Sequence, residues 1–167
     1  MKILNEYKNK IENELKRFFK IKKAEAKNIN YELLKFVEAF EEFTLRGGKR
    51  LRGLLIISTY AGCGKKVSNE IIKAAASMEL LHSFLLVHDD IMDNDDLRRN
   101  GLTVHKIFQK KYNSADLGKA FGIVVGDLGY SYALELFLSA KFEVRSKLDA
   151  LNGIAVMIKR CCYGQLM

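Results

Sequence analysis

The chain has 167 residues, 49% hydrophobic and 29% charged, which suits one domain with a sizeable core and excludes wholesale disorder. Three cysteines without a secretion signal exclude a disulfide-held extracellular scaffold, and a cytoplasmic protein is expected. The net charge is +8, and the first 30 residues hold nine Lys/Arg, from Lys2 to Lys27, against four Glu. That excess reads as a solvated helix face or as a surface for an anionic partner.

Proline is absent, so long helices are unobstructed. Apolar residues recur at helical spacing almost throughout, as in Ile11, Leu15, Phe18, Phe19 and Ile21, or Leu33, Leu34, Phe36, Val37 and Phe40. Helices are predicted over 3–21, 30–45, 49–62, 68–93, 103–112, 116–140 and 146–165. Breaks fall at Gly47-Gly48, Gly62-Cys63-Gly64, Asn100-Gly101 and Lys141, and Ser68 marks a helix start. No segment alternates long enough for a sheet, and the expectation is a single all-α domain over residues 1–167. Ala120 to Ala140 is mostly apolar but contains Asp127 and Glu135. An Asp at a helix centre in lipid costs roughly 2.5–3.5 kcal/mol. The stripe Gly122, Gly126, Gly129 and Ala133 instead predicts a core helix with a close neighbour, and no membrane span. Cys161-Cys162 reads as core packing. The residues up to Met167 stay apolar and uncapped, as in a helix that continues or docks on another surface.

The densest polar cluster runs from His88 to Arg99 (HDDIMDNDDLRR) and follows the apolar run Leu80 to Val87. At about 100° per residue, Asp93 lies about 40° from Asp89 and about 60° from Asp90, so the three carboxylates share one arc. Such crowding calls for a cation, and Mg²⁺ takes carboxylate oxygen while leaving sites for substrate phosphates. The loop lacks the glycine and terminal glutamate of a calcium-binding EF-hand, and the cysteines lack zinc spacing with His82, His88 or His105. A second cluster, Arg46-Gly47-Gly48-Lys49-Arg50-Leu51-Arg52, places Lys49 and Arg52 at a helix start where both can face one anion. A solvated basic turn has the same sequence signature. His82, seven residues before Asp89, points to the carboxylate side about 10 Å down the helix, or is a hydrogen-bonded core histidine.

In order, Gly47-Gly48-Lys49-Arg50-Leu51-Arg52, Glu79-Leu80-Leu81-His82, His88-Asp89-Asp90-Ile91-Met92-Asp93 with Asp95-Asp96-Leu97-Arg98-Arg99, Gly126-Asp127-Leu128 and Gly164-Gln165 resemble the trans-prenyltransferases (isoprenyl diphosphate synthases). Residues 79–93 are most similar to archaeal geranylgeranyl diphosphate synthases. Gly53 and Leu102 stand where the family commonly has proline. The resemblance covers the first half of the family's length, and it implies the first half of an all-α helical bundle of the isoprenoid-synthase type. It further implies Mg²⁺ held by Asp89 and Asp93 with Asp90 in support, and an allylic diphosphate neutralised by Arg98. Lys49, Arg52, His82 and Arg99 would hold isopentenyl diphosphate. Phe84, five residues before the acidic motif, would floor the tunnel for the growing chain and stop it at geranylgeranyl, or farnesyl, length.

The second aspartate motif that the family carries would follow Met167. The expectation is therefore the N-terminal chain of a split enzyme, a hetero-oligomer completed by a separate C-terminal prenyltransferase chain. Two other readings stand beside it. One is a non-catalytic diphosphate-binding or regulatory subunit, which a decayed acidic motif would mark. The other is a basic helical nucleic-acid binder, which predicts aromatics interleaved with exposed cations, whereas Lys49, Arg52, Arg98 and Arg99 adjoin carboxylates. No nucleic-acid partner is expected.

Overall fold

A computed structural model describes residues 2–167, with the side chain of Lys2 outside the described part. Among the described residues are seven α-helices: α1 (Lys2–Ile29), α2 (Leu34–Leu45), α3 (Leu51–Gly62), α4 (Asn69–Met92), α5 (Val104–Tyr112), α6 (Ala115–Leu138) and α7 (Val144–Leu166). A 3₁₀ turn at Tyr31–Leu33 follows α1, entered through Asn30, whose Oδ1 accepts the Glu32 amide at 2.9 Å. The expected helices are all present, and the all-α architecture holds.

The apolar faces read from the sequence build the core. Ile11, Leu15 and Phe19 of α1 meet Phe40 of α2, Ile57 of α3, Leu80 and Val87 of α4, Phe108 of α5 and Val125 of α6, all nearly sealed from solvent. Each large side chain so buried stabilises the fold by about 1.5–3 kcal/mol. The central helix, α4, packs on α1, α3 and α6. The glycine stripe of α6 makes its close approach possible: a Cβ at Gly126 would overlap the His88 imidazole, and one at Gly129 the Phe40 ring. Both α4 and α6 are long and apolar enough to cross a membrane by composition, yet they pack on each other. Asp127 and Glu135, the two carboxylates inside the apolar stretch, point outward.

Three expectations need correction. Helix α1 runs eight residues past its predicted end at 21, because Lys22 is buried between Glu25 (2.6 Å) and Glu135 of α6, with its ammonium 5.3 Å from the Phe18 ring. Part of the N-terminal basic excess is thus packing, and Lys10, Arg17 and Lys23 are paired with Glu6, Glu14 and Glu41. A short hairpin, β1 (Leu97–Arg98) with β2 (Gly101–Leu102), stands where no strand was expected. Its two-residue turn has Arg99 at φ 51° and Asn100 at φ 63°, the left-handed pair of a tight hairpin. Finally, Cys161 and Cys162 are exposed rather than packed, because α7 touches the core only through half-buried residues such as Ile154, Met157 and Ile158.

Candidate functional site

The acidic cluster sits at the C-terminal end of α4. Met92 is the last helical residue and Asp93 caps it, its amide donating to Asp89 O at 2.8 Å. The chain then turns through Asn94 at φ 56°, and the hairpin folds back over the helix end. That return places Arg98 against the carboxylates: Nε donates to Asp90 Oδ1, and Nη2 lies 3.2 Å from Asp89 Oδ2 and 3.5 Å from Asp95 Oδ2.

The three carboxylates of the predicted arc are not equivalent. Asp90 is wholly buried, and its Oδ2 has no hydrogen-bond partner. Burial raises its pKa to about 6, with Asp95 and Asp89 pushing the same way and Arg98 opposing. Asp89 is half-buried and Asp93 is exposed. The arc is therefore divided, with Asp90 facing inward to Arg98 and Asp89 and Asp93 left at the surface.

The basic residues converge on a separate pocket lined by Gly48, Lys49, Arg50, Arg52, Glu79, His82 and Arg99. All four residues assigned to the second substrate, Lys49, Arg52, His82 and Arg99, are in it. The loop leading into α3 is held by groups that the sequence reading did not single out. Arg50, buried and at φ 53°, donates to Thr44 O at 2.9 Å and lies 3.5 Å from Glu12 and 3.7 Å from Glu79. The other Glu79 oxygen accepts the Gly53 amide at 2.9 Å. A glutamate amid the apolar residues of α4 is a detectable signal, since a buried carboxylate needs a partner. Gly53 is closely packed: a Cβ there would lie 2.8 Å from Ile11 Cδ1 and 3.1 Å from Ala75 O, so its neighbours would have to shift. Burial, then Arg52, Arg99, Arg98 and Arg50, lower the His82 pKa from 6.5 to about 4, so the imidazole is neutral at neutral pH. It offers a hydrogen bond there rather than a charge.

Phe84 packs edge-on against His88 (5.0 Å between rings) and at a tilt against Tyr130 of α6 (5.3 Å). Nearer the start of α4, an apolar cavity of about 410 Å³ opens between α3, α4, α6 and α7, bordered by Met78, Ala74, Tyr60, Phe137 and Met157. Met78 lies eleven residues before Asp89, about 16 Å along the helix.

Among the described residues no three His, Cys, Asp or Glu side chains form a ready-made metal cage. Asp89 and Asp93, one turn apart at the surface, nevertheless offer the hard oxygen donors that magnesium prefers. Magnesium is commonly held by one or two carboxylates and completed by water and substrate phosphates. The donor set fits that kind of shared site.

The polyprenyl synthetase family model matches residues 34–167. The chain belongs to that family. It is 36% identical over 136 residues to the short chain isoprenyl diphosphate synthase of Methanocaldococcus jannaschii, covering 80% of this chain and 37% of that protein. Among solved structures, the geranylgeranyl pyrophosphate synthetase of the archaeon Geoglobus acetivorans superposes with a TM-score of 0.81 at 26% identity, over 98% of this chain and 47% of that one. The geranylgeranyl pyrophosphate synthase of Corynebacterium glutamicum, complexed with isoprenyl diphosphate and magnesium, shares the fold with a TM-score of 0.85 at 23% identity, over 98% of this chain and 49% of that one. The chain thus spans little more than a third of that curated relative and about half of the solved structures. Its family membership rests on the same stretch that carries the basic pocket and the acidic helix end.

Proposed function

We propose that this chain is the substrate-gripping N-terminal half of a short-chain prenyltransferase, one α-helical unit that condenses isopentenyl diphosphate with an allylic diphosphate once a complementary C-terminal half is present. The observation that carries the reading is the separation of two sites on one scaffold. Surface carboxylates with Arg98 lie at the end of α4, and a cationic pocket with a neutral histidine lies between the basic loop, α4 and the hairpin. Two diphosphates need two such sites, and only one of them must leave.

Asp89 and Asp93 would hold Mg²⁺, which when bound supplies charge neutralisation of the departing diphosphate. Arg98, beside Asp89, adds its own positive charge there. As the allylic C–O bond breaks, the bonding pair leaves with pyrophosphate and an allylic cation remains. Lys49, Arg52 and Arg99 would grip the isopentenyl diphosphate, with His82 as a neutral hydrogen-bond partner, so that its double bond meets that cation. The new C–C bond forms, and a proton is then lost to the released pyrophosphate. Positioning is most of the catalysis, since the nucleophile is an uncharged alkene. Asp90, sealed beneath, acts by fixing Arg98.

The complementary half would be a separate polypeptide, giving a hetero-oligomer. Exposed Ile123 and Val124 of α6, and Val144, Leu148 and Tyr163 of α7, support an apolar seam for it. Phe84 would limit the product to twenty carbons, with fifteen as the runner-up, because along α4 it lies between Asp89 and Met78, which borders the cavity. The test is turnover of farnesyl and isopentenyl diphosphates by the chain mixed with a C-terminal half, resolved by product length. Asp89→Ala should lower kcat by orders of magnitude, and Phe84→Ser should lengthen the product. Full turnover by Asp89→Ala contradicts the site, and an unchanged product from an active Phe84→Ser enzyme removes Phe84 from its role.

A further inference from the structure

Two arginines tie the basic loop and the hairpin together in opposite directions. Arg46, at the end of α2, sends Nη1 to Arg98 O at 2.8 Å and Nη2 to Leu102 O at 2.9 Å. Arg99, in the hairpin turn, sends Nη1 back to Gly47 O at 2.7 Å. Each segment thus grips the other's backbone with a charged donor, the stronger class of hydrogen bond. The Arg46 guanidinium is fixed from behind, with Nε 2.8 Å from Glu42 Oε1, Nη2 on Glu42 Oε2 and the Phe43 ring 5.7 Å below. Its side chain is only 13% exposed.

The sequence accommodates this clasp at a cost. Arg99 takes a left-handed conformation, at φ 51°, that L side chains rarely adopt. Gly48, at φ 126°, brings its backbone so close that a Cβ would sit 3.3 Å from Arg99 Nη1. At Gly101, opposite Arg98 in the hairpin, a Cβ would lie 2.6 Å from Arg46 Nε and Nη1. Two left-handed backbone positions, Gly48 and Arg99, and one missing side chain, at Gly101, therefore surround the guanidinium pair. The two residues whose positions the clasp fixes, Arg98 and Arg99, belong to different sites, one to the carboxylates and the other to the cationic pocket.

We propose that Arg46 is a positioning residue: through the Arg98 and Leu102 carbonyls it sets the hairpin so that Arg98 and Arg99 present their charges to two diphosphates at a fixed separation. The proposal rests on the functional reading above and adds to it a residue that touches neither substrate. It explains why a two-residue hairpin in an otherwise helical chain is held by more charged contacts than its own pairing supplies.

The deciding variant is Gly101→Ala. It leaves every charge in place, and Gly101 does not need a left-handed φ. The three atoms nearest the added methyl all belong to the flexible end of Arg46, so helix content should be kept. Titration of the chain with inorganic pyrophosphate and Mg²⁺ by calorimetry should show binding weakened about tenfold or more in Gly101→Ala, since small misplacements of gripping groups are that costly. Arg46→Met should match or exceed the loss. In the Arg46→Met background, Gly101→Ala should cost nothing further, because the group it displaces is gone. Wild-type affinity in Gly101→Ala or in Arg46→Met overturns the proposal, even if the melting temperature falls, because a merely structural clasp would change stability alone. A Gly101→Ala loss that persists undiminished in the double variant also overturns it. If the unsubstituted chain binds no pyrophosphate, the functional reading itself fails and takes the proposal with it, an outcome distinguishable because it needs no variant.

Discussion

The Arg98 guanidinium reaches back eight residues to the wholly buried carboxylate of Asp90, and that pairing fastens the hairpin to the end of α4. Asp90 has no access to water and its second oxygen has no partner, so Arg98 is what makes its charge tolerable. Breaking a buried pair by deleting one member leaves the other uncompensated, at a typical cost of 3–5 kcal/mol.

Because burial already raises the Asp90 pKa to about 6, the carboxyl takes up a proton once Arg98 is gone, so Arg98→Ala should cost less than that, about 1–2 kcal/mol at neutral pH. Asp90→Asn removes the buried charge while keeping an acceptor for Arg98, and should cost about 1 kcal/mol. Urea denaturation measures both, and an Arg98→Ala protein as stable as the unsubstituted chain contradicts the pairing.

His82 gives stability a pH dependence of known sign. Its folded pKa is lowered to about 4 from 6.5, chiefly by burial and then by Arg52 and the neighbouring arginines. Between those values the unfolded chain binds a proton that the folded chain does not, so this contribution makes stability rise with pH across the window and level off above it. Against His82→Gln as reference, the unsubstituted chain should gain stability between about pH 4.5 and about pH 7. A difference between the two proteins that stays flat over that range would show the imidazole to be solvated.

Two glycines predict opposite signs. At Gly118, where α6 crosses α5, a Cβ would lie 2.6 Å from His105 O and 2.8 Å from Gln109 N, backbone that cannot give way. Gly118→Ala should therefore destabilise by about 1–3 kcal/mol. At Gly153 of α7 nothing lies within 4 Å of the added methyl. Gly153→Ala should stabilise by about 0.5–1 kcal/mol through helix propensity alone. Thermal melts of the pair check the packing of α5 on α6 without reference to activity.

The helices were legible because proline is absent and the apolar spacing is regular. The run from Lys22 to Lys27 hid the last turns of α1, since its burial depends on Glu135, more than a hundred residues away. The acidic helix end and the cationic pocket were visible as motifs, yet the inward turn of Asp90 was not. Ideal helix angles place it within reach of Asp93, whereas Asp90 is buried against Arg98 and Asp93 is exposed. That hairpin has two residues per strand, too short for any periodicity, and its shape follows from Arg46 and Arg99 across a gap of 52 residues. Arg50 was visible as part of the basic motif, but not as a buried brace. Its role appears only when Glu12, Thr44 and Glu79 come together around it.

The central claim is that the end of α4 is a magnesium-dependent allylic diphosphate site. Calorimetric titration of this chain with a non-reactive thio analogue of geranyl diphosphate, with and without Mg²⁺, addresses it most directly. The account predicts binding that requires Mg²⁺ and is abolished by Asp89→Ala and by Asp93→Ala, while Gly153→Ala binds as the unsubstituted chain does. Binding that is indifferent to Mg²⁺, or that survives Asp89→Ala unchanged, would contradict it.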